Sequence, residues 1–236
     1  MLQPCKITTI FFDLDNTLFD HSKAEQRTLR ALHGSLAALR DLDLATFLKT
    51  YDEINTDLWR RMAKGEISGD ELKPRRFQQT LEALGTTYPD YGQLSRRYLS
   101  IYMQQICSMP YARDLLDALR SSYKLGILSN GFPDVQRQKL KNLDFTSYFH
   151  TTVFSGDVGA MKPSPEIFRA AEKLAGITRD EVLYVGDSHE SDVLGAKGAG
   201  WPVVFFNRSA EVGLNGVADA EISDLRQLLQ VLEVGR

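Results

Sequence analysis

The 236-residue sequence predicts an α/β fold, a doubly wound parallel sheet whose chain is interrupted by an inserted all-helical domain. From Pro110 onward, short apolar runs alternate with amphipathic stretches, as expected when the strands of a mostly parallel sheet alternate with helices on both faces. From about Phe19 to Met109, apolar residues recur at helical spacing without a convincing strand. We therefore predict a core domain of residues 1–18 and 110–236, and a helical domain of residues 19–109.

The first strand is the apolar run from Ile7 to Phe12, whose Ile, Thr and Phe content is typical of a buried strand. Asp13 and Asp15 follow it directly, at the strand end where open α/β sheets bind their ligands. Because alternate residues of an extended chain point to the same side, both carboxylates can face one site. The two negative charges would repel each other unless a cation or a shared proton stabilises them. An isolated Asp-x-Asp is more often a simple acidic turn, so later segments must decide.

The inserted domain is predicted to contain four helices, over residues 22–40, 43–64, 68–84 and 90–107. Ser68 suits the N-cap of the third helix, and Gly65 and Gly85 suit the ends of the second and third. The first, second and fourth of these stretches carry apolar residues at helical spacing, so we expect an all-helical insert.

The remaining elements alternate along the chain. Strands are predicted over residues 123–128, 151–154, 181–185 and 202–206. Helices are predicted over residues 113–122, 133–143, 164–175, 191–199 and 222–232. The strands 123–128 and 181–185 are followed by polar segments, and candidate site residues lie in these segments.

Composition narrows the classes of partner. A net charge of −3 and a pI near 5.8 provide no field that favours a nucleic acid polymer or an anionic membrane. Cys5 and Cys107 are too few for a disulfide framework and are predicted to be reduced and buried. The sequence shows no targeting segment and no apolar run of membrane-spanning length, so we expect a cytoplasmic protein, either a monomer or a small homo-oligomer.

Two segments of the core are candidate anion sites. Ser129-Asn130-Gly131 lies between a strand and a helix, where a hydroxyl, free backbone N–H groups and the helix dipole favour negative charge. Lys162 lies in a Lys-Pro-Ser-Pro segment whose prolines restrict the backbone around it. Its ammonium group would neutralise a phosphoryl group or a crowded carboxylate. Taken singly, the first segment is more often an ordinary strand-to-helix turn, and most Lys-Pro pairs are surface lysines.

Asp187 ends the apolar strand 182–185 in the way that Asp13 ends the first strand. Carboxylates from neighbouring strand ends offer the hard oxygen ligands that suit Mg²⁺, which also keeps waters and binds substrate phosphate. Asp192 lies at the start of the next helix, where a carboxylate is stabilising for structural reasons alone. We therefore favour Asp187 as a metal ligand and regard Asp192 as a supporting residue.

The four segments, taken in order, resemble the haloacid dehalogenase-like (HAD) hydrolase superfamily. Its pattern of Asp-x-Asp-x-Thr, Ser or Thr, Lys and Gly-Asp-x(4)-Asp stands here as Asp13/Asp15/Thr17, Ser129, Lys162 and Asp187/Asp192. The resemblance covers the whole chain. It implies a Rossmann-like core with a type-one helical cap, formed by the inserted domain, that closes over a small substrate.

The resemblance also implies a role for each matching residue. Asp13 would be the nucleophile that forms an aspartyl-phosphate, and Asp15 the general acid and then the general base. Phosphate binding would fall to Ser129, Asn130 and Lys162. Mg²⁺ would be the cofactor, held by the Asp13 carboxylate, the Asp15 backbone carbonyl and Asp187, with Asp192 supporting them.

The same resemblance suggests the substrate. The dehalogenases of the superfamily lack the second aspartate, so Asp15 favours phosphate esters over carbon–halogen bonds. Residues 51–59 and 65–67 look like the cap of the YjjG-type pyrimidine 5′-nucleotidases. We predict a phosphatase for small phosphate monoesters, with pyrimidine nucleoside 5′-monophosphates preferred. Trp59 is a candidate for stacking on the base and Asn55 for a hydrogen bond to it, although Trp59 equally fits the core of the helical insert.

Two alternatives stay open at this point. One is a sugar-phosphate phosphatase or phosphomutase with the same site. The other is a signalling or binding module that accepts phosphate on an aspartate without turnover. Such modules carry a similar acidic cluster but no large cap.

Overall fold

The computed structural model describes residues 6–208 and 216–233, which divide into two compact units. One unit is Ser22–Ile106, and the other comprises the described residues before Ser22 and after Ile106. The divisions predicted from the sequence lie at 18/19 and 109/110. The assignment of the units as core and cap domains stays a prediction.

The unit without Ser22–Ile106 is built on one six-stranded sheet in the order β3-β2-β1-β4-β5-β6. Every neighbouring pair is parallel. The strands are β1 (Thr9–Phe12), β2 (Lys124–Ser129), β3 (Phe149–Phe154), β4 (Val182–Gly186), β5 (Val203–Phe206) and β6 (Ala220–Ile222). Strands β1, β4 and β5 are buried along their whole length, which explains their continuous apolar sequences. The predicted α/β class is confirmed.

The helical part of the chain begins with α1 (His21–Ser35) and continues with α2 (Ala37–Arg40), α3 (Leu44–Ala63), α4 (Gly69–Ala83) and α5 (Tyr91–Tyr102). The predicted first helix is broken at Leu36, whose extended backbone separates α1 from α2. Ser68 caps α4 as predicted, in a reciprocal pair with Glu71. Asn55 is buried on α3, whereas Trp59 on the same helix is half-buried.

The helices around the sheet are α6 (Ala112–Leu119), α7 (Pro133–Asn142), α8 (Ser155–Val158), α9 (Pro165–Ala175), α10 (Gly195–Ala199) and α11 (Gln227–Glu233). A π-helical turn over His189–Leu194 precedes α10, where a continuous helix was predicted. The predicted last helix also begins too early, because Ile222 belongs to β6 and pairs with Phe206 of β5. Sheet pairing therefore prevails over the apolar periodicity there.

Two findings bear on the remaining predictions. Cys107 is buried as expected and forms no disulfide with a described residue, while Cys5 lies outside the described residues. Within residues 6–208 and 216–233, we find no helix with the length and apolar character needed to cross a membrane.

Close packing of β1 against β2 depends on the absence of a side chain at Gly126. A Cβ atom added there would lie 2.5 Å from the ring of Phe11, a fully buried residue of the core. The ring has no space to retreat, because Trp201 packs against it at 5.5 Å between centroids.

We expect Gly126→Ala to lower the free energy of unfolding by about 1–3 kcal/mol, the range for overpacking a tight core. The matched control is Gly198→Ala, since an added Cβ meets no atom within 4 Å there. Urea denaturation of both variants would measure the difference. Equal stability of the two would contradict the packing argument.

Candidate active site

The carboxyl ends of three adjacent strands bring the predicted site residues to one edge of the sheet. Strand β1 lies between β2 and β4, and Phe12 is in register with Ile127 and Val185. Asp13 follows β1, and its backbone N–H still bonds the carbonyl of Val185 at 2.9 Å. Consequently Asp13, Ser129 at the end of β2 and Asp187 after β4 occupy the same edge.

Lys162 is the centre of the first charge network. Its ammonium group donates to Asp13 Oδ1, to Asp192 Oδ1 and to the Tyr184 hydroxyl, each at 2.6 Å. The side chain is 2% exposed, so its three donors are all satisfied inside the protein. Burial alone would lower the pKa of Lys162, but the two carboxylates raise it above its ordinary value. Lys162 is therefore a fixed, permanently charged group.

Asn130 holds the backbone of Lys162 rather than facing outward. Its Nδ2 donates to the Lys162 carbonyl at 2.8 Å, and its Oδ1 accepts from the Lys162 N–H at 2.7 Å. Both polar ends of the side chain are thus in use. The second hydrogen of the amide bonds no described residue, and it is the part of the side chain left for the predicted phosphate binding.

Asp192 has both carboxylate oxygens engaged by protein donors. Oδ1 accepts from Lys162 and lies 3.1 Å from the Tyr184 hydroxyl, while Oδ2 accepts from the Ser188 N–H at 2.9 Å. A Cβ on Gly186 would collide with this carboxylate, so the glycine permits its close approach. These contacts fit the supporting role predicted for Asp192.

The fit to a divalent cation follows from the same geometry. Asp13, Asp187 and Asp192 each offer a carboxylate oxygen, and these atoms lie within 4.8 Å of one another. No described residue donates to Asp13 Oδ2, and Asp187 accepts only a long bond of 3.4 Å from Thr17. Hard oxygens with free lone pairs and excess negative charge suit Mg²⁺. The carboxylates of Asp13 and Asp187 are the better ligands, because Asp192 is already occupied.

Asp15 belongs to a second network that is separate from Lys162. Lys139 on α7 donates to Asp15 Oδ1 at 2.5 Å, and Gln136 donates to Asp15 Oδ2 at 2.9 Å. Burial on its own would raise the pKa of Asp15, but the charges of Lys139 and His21 and these hydrogen bonds lower it overall. Asp15 is therefore ionised in this state.

Ser129 is oriented by the same helix. The side-chain amide of Gln136 donates to Ser129 Oγ at 2.7 Å, and the Gly131 N–H does so at 3.3 Å. A hydroxyl has two lone pairs and one hydrogen, so both lone pairs are filled and the hydrogen is left to donate. Ser129 is thus prepared to bind an anionic oxygen.

Sequence reasoning missed Tyr184, Gln136 and Lys139. Tyr184 lies within an apolar strand, where its hydroxyl gave no visible signal. Gln136 and Lys139 are three residues apart on the helix that follows Ser129, so they lie on one face. That spacing was the available clue, although polar pairs of this kind are usually exposed.

The pKa of Asp13 moves in the opposite direction from that of Asp15. Burial, together with the charges of Asp192 and Asp15, raises the pKa of Asp13 to about 7 against the lowering effect of Lys162. Burial and the charges of Asp192, Asp13 and Asp15 raise the pKa of Asp187 well above its ordinary value. Without a cation, one lysine does not balance this group of carboxylates.

Comparison with known proteins yields consistent matches. The family model for haloacid dehalogenase-like hydrolases matches residues 7–200. The chain is 33% identical to the pyrimidine 5′-nucleotidase YjjG of Escherichia coli K12, over 94% of this chain and 96% of that protein. It is 32% identical to a glyceraldehyde 3-phosphate phosphatase of Pyrococcus furiosus, over 97% and 94% respectively.

A solved structure matches the fold along nearly the whole chain. The HAD-hydrolase YfnB from Bacillus subtilis, solved bound to magnesium, superimposes with a TM-score of 0.87 at 26% identity. The match covers 97% of this chain and 99% of YfnB. Together these matches confirm the resemblance that the four sequence motifs indicated.

The raised pKa of Asp13 makes a prediction for the metal-free protein. The folded state holds this proton more tightly than the unfolded chain, so the contribution of Asp13 to stability is present below pH 3.8 and is lost as the pH rises to about 7. The asparagine of Asp13→Asn does not ionise, so this variant does not lose stability in this way as the pH rises. We expect its stability relative to the parent to increase by on the order of 2 kcal/mol between pH 5 and pH 8.

Urea denaturation in excess EDTA at both pH values would measure this difference. Asp180→Asn serves as the control, because its carboxylate is exposed. A relative stability of Asp13→Asn that does not change with pH would contradict the proposed crowding of charge.

Proposed function

The chain belongs to the haloacid dehalogenase-like hydrolase family, and from this premise we propose that it hydrolyses small phosphate monoesters through a phosphorylated Asp13. The preferred substrates in this proposal are pyrimidine nucleoside 5′-monophosphates. The observation that carries it is the separation of two neighbouring carboxylates into different networks. Asp13 contacts the buried ammonium of Lys162, whereas Asp15 contacts Gln136 and Lys139.

In the first step, a carboxylate oxygen of Asp13 forms a bond to phosphorus while the bond to the ester oxygen breaks. The departing alcohol takes its proton from Asp15. In the second step, Asp15 accepts a proton from water, which attacks phosphorus, releases phosphate and restores Asp13. Without metal and substrate, the pKa of Asp13 is raised and that of Asp15 is lowered, so these roles depend on what binds. A cation beside Asp13 would favour its ionised form, and the negative charge of the ester would raise the pKa of Asp15 so that it carries the proton.

The cationic and polar groups around Asp13 support a phosphoryl substrate. Lys162 places a permanent positive charge beside the nucleophile, which offsets the negative charge that the ester brings. The Ser129 hydroxyl has one hydrogen left for a phosphoryl oxygen. Mg²⁺ would be held by Asp13, the Asp15 backbone carbonyl and Asp187, and would supply charge neutralisation at the phosphoryl group.

The choice of substrate rests on similarity. Similarity to the pyrimidine 5′-nucleotidase YjjG favours a nucleoside monophosphate as the substrate. Similarity to the pyrimidine 5′-nucleotidase PynA of Streptococcus pneumoniae, 29% identical over 84% of this chain, favours the same class of substrate. The glyceraldehyde 3-phosphate phosphatase supports a second candidate, hydrolysis of a phosphorylated sugar. Family membership favours turnover over a phosphate-accepting signalling module. The cytoplasmic location and the oligomeric state stay predictions.

We expect phosphate release with Mg²⁺ from a panel of UMP, dUMP, dTMP, AMP, GMP, glucose phosphates, glycerol phosphate, glyceraldehyde 3-phosphate and p-nitrophenyl phosphate. The pyrimidine nucleotides should have the highest kcat/KM. Asp13→Asn should abolish release from all of them, because the amide is not a nucleophile.

If a sugar phosphate has the highest kcat/KM, the proposed nucleotide substrate is wrong, while the proposed hydrolysis through Asp13 stands. Isomerised sugar without phosphate release would indicate a mutase instead. Substantial turnover by Asp13→Asn would overturn the role of the nucleophile.

We also expect Asp187→Asn to raise the Mg²⁺ concentration needed for half-maximal activity by at least about tenfold, since one anionic ligand is lost. Titration of activity with Mg²⁺ after EDTA treatment measures this, with Asp180→Asn as the exposed control. Full activity in excess EDTA would argue against the metal site.

A further inference from the structure

Helix α7 directs a buried polar face at the candidate site. Gln136 is fully buried and Lys139 is 5% exposed, although both residue types are ordinarily found at the surface. They are three residues apart, so their side chains leave the helix on the same side. Burial of such groups is costly unless they have specific partners, and here both have the same partner, Asp15.

Each oxygen of the Asp15 carboxylate has its own donor. Lys139 holds Oδ1 at 2.5 Å, and Gln136 holds Oδ2 at 2.9 Å. The Lys139 ammonium also lies 4.9 Å from the ring centroid of Phe19, which is a second contact that limits its movement. Two donors on two oxygens restrict rotation of the carboxylate, which a single contact would not do.

The orientation of the Gln136 amide follows from its partners. Asp15 in its ionised form only accepts hydrogen bonds, so the NH₂ group must face it, and the same nitrogen donates to Ser129 Oγ. Both hydrogens are therefore used. The Gln136 carbonyl oxygen is buried without a partner among the described residues, so the two bonds of the NH₂ group alone hold the amide in place.

The loop after Ser129 is shaped around this side chain. An added Cβ on Gly131 would collide with the amide of Gln136. Glycine at this position therefore leaves the space that Gln136 occupies between Ser129 and Asp15.

We propose that Gln136 and Lys139 are positioning residues that hold the Asp15 carboxylate in line with the ester oxygen and link it to Ser129. The inference rests on the proposed function. As the bond between phosphorus and the ester oxygen breaks, the proton of Asp15 moves to that oxygen. The need for this proton depends on the leaving group, because an alkoxide is a far poorer leaving group than p-nitrophenolate.

The test compares kcat/KM for glycerol phosphate, phenyl phosphate and p-nitrophenyl phosphate in Lys139→Met and Gln136→Met. The ratio kcat/KM covers the steps up to departure of the alcohol, so later hydrolysis of the phosphorylated Asp13 does not enter it. We expect a loss of about 100-fold for glycerol phosphate, the low end for a general acid, and a much smaller loss for p-nitrophenyl phosphate. Lys139→Arg, which keeps the cation, should recover part of the loss.

Lys141→Met is the control, since Lys141 is exposed on the same helix and should leave all three values unchanged. Denaturation midpoints would verify that each variant is folded. Should Lys139→Met fail to fold, Gln136→Met and Lys139→Arg provide the same comparison.

An equal loss for all three esters in folded variants overturns the inference and leaves the proposed function standing. Absence of turnover by the parent protein on every ester overturns the proposed function itself. A loss that increases from p-nitrophenyl to phenyl to glycerol phosphate supports the positioning role.

Discussion

The buried ammonium of Lys162 is the interaction on which the candidate site depends. It joins Asp13 after β1, Tyr184 of β4 and Asp192 in the π-helical turn, so one charge connects three segments at the sheet edge. A buried charge is tolerated only when its partners surround it, and removal of one partner typically costs about 3–5 kcal/mol. The hydrogen bonds of Asn130 to the Lys162 backbone follow from this need to fix the lysine.

A second constraint is that Asp13 and Asp15 lie close together in the chain but have pKa values shifted in opposite directions. Asp13 is deeply buried beside other carboxylates, which raises its pKa, whereas Lys139, His21 and Gln136 lower that of Asp15 despite its burial. Two separate sets of partners make this possible within three residues of chain. In the metal-free protein Asp15 therefore ionises more readily than Asp13, although the two carboxylates are only two residues apart.

The excess of negative charge links the site to its proposed cofactor. Protein donors bond both oxygens of Asp192, so the negative charge that lacks a partner is on Asp13 and Asp187. A divalent cation would neutralise this charge and at the same time favour the binding of an anionic ester. The same imbalance accounts for the expected pH dependence of the metal-free protein.

The sequence by itself determined the α/β class, the inserted helices and the strand ends that carry Asp13, Ser129 and Asp187, because hydrophobic periodicity and turn residues are local properties. Only the tertiary structure revealed the contacts of Gln136 and Lys139 with Asp15 and of Tyr184 with Lys162, because these partners are distant in the chain. It also decided that Ile222 is a strand residue, since β5 offered an edge to pair with. Contacts between distant segments decide which polar groups are satisfied, and for that reason they complete the site.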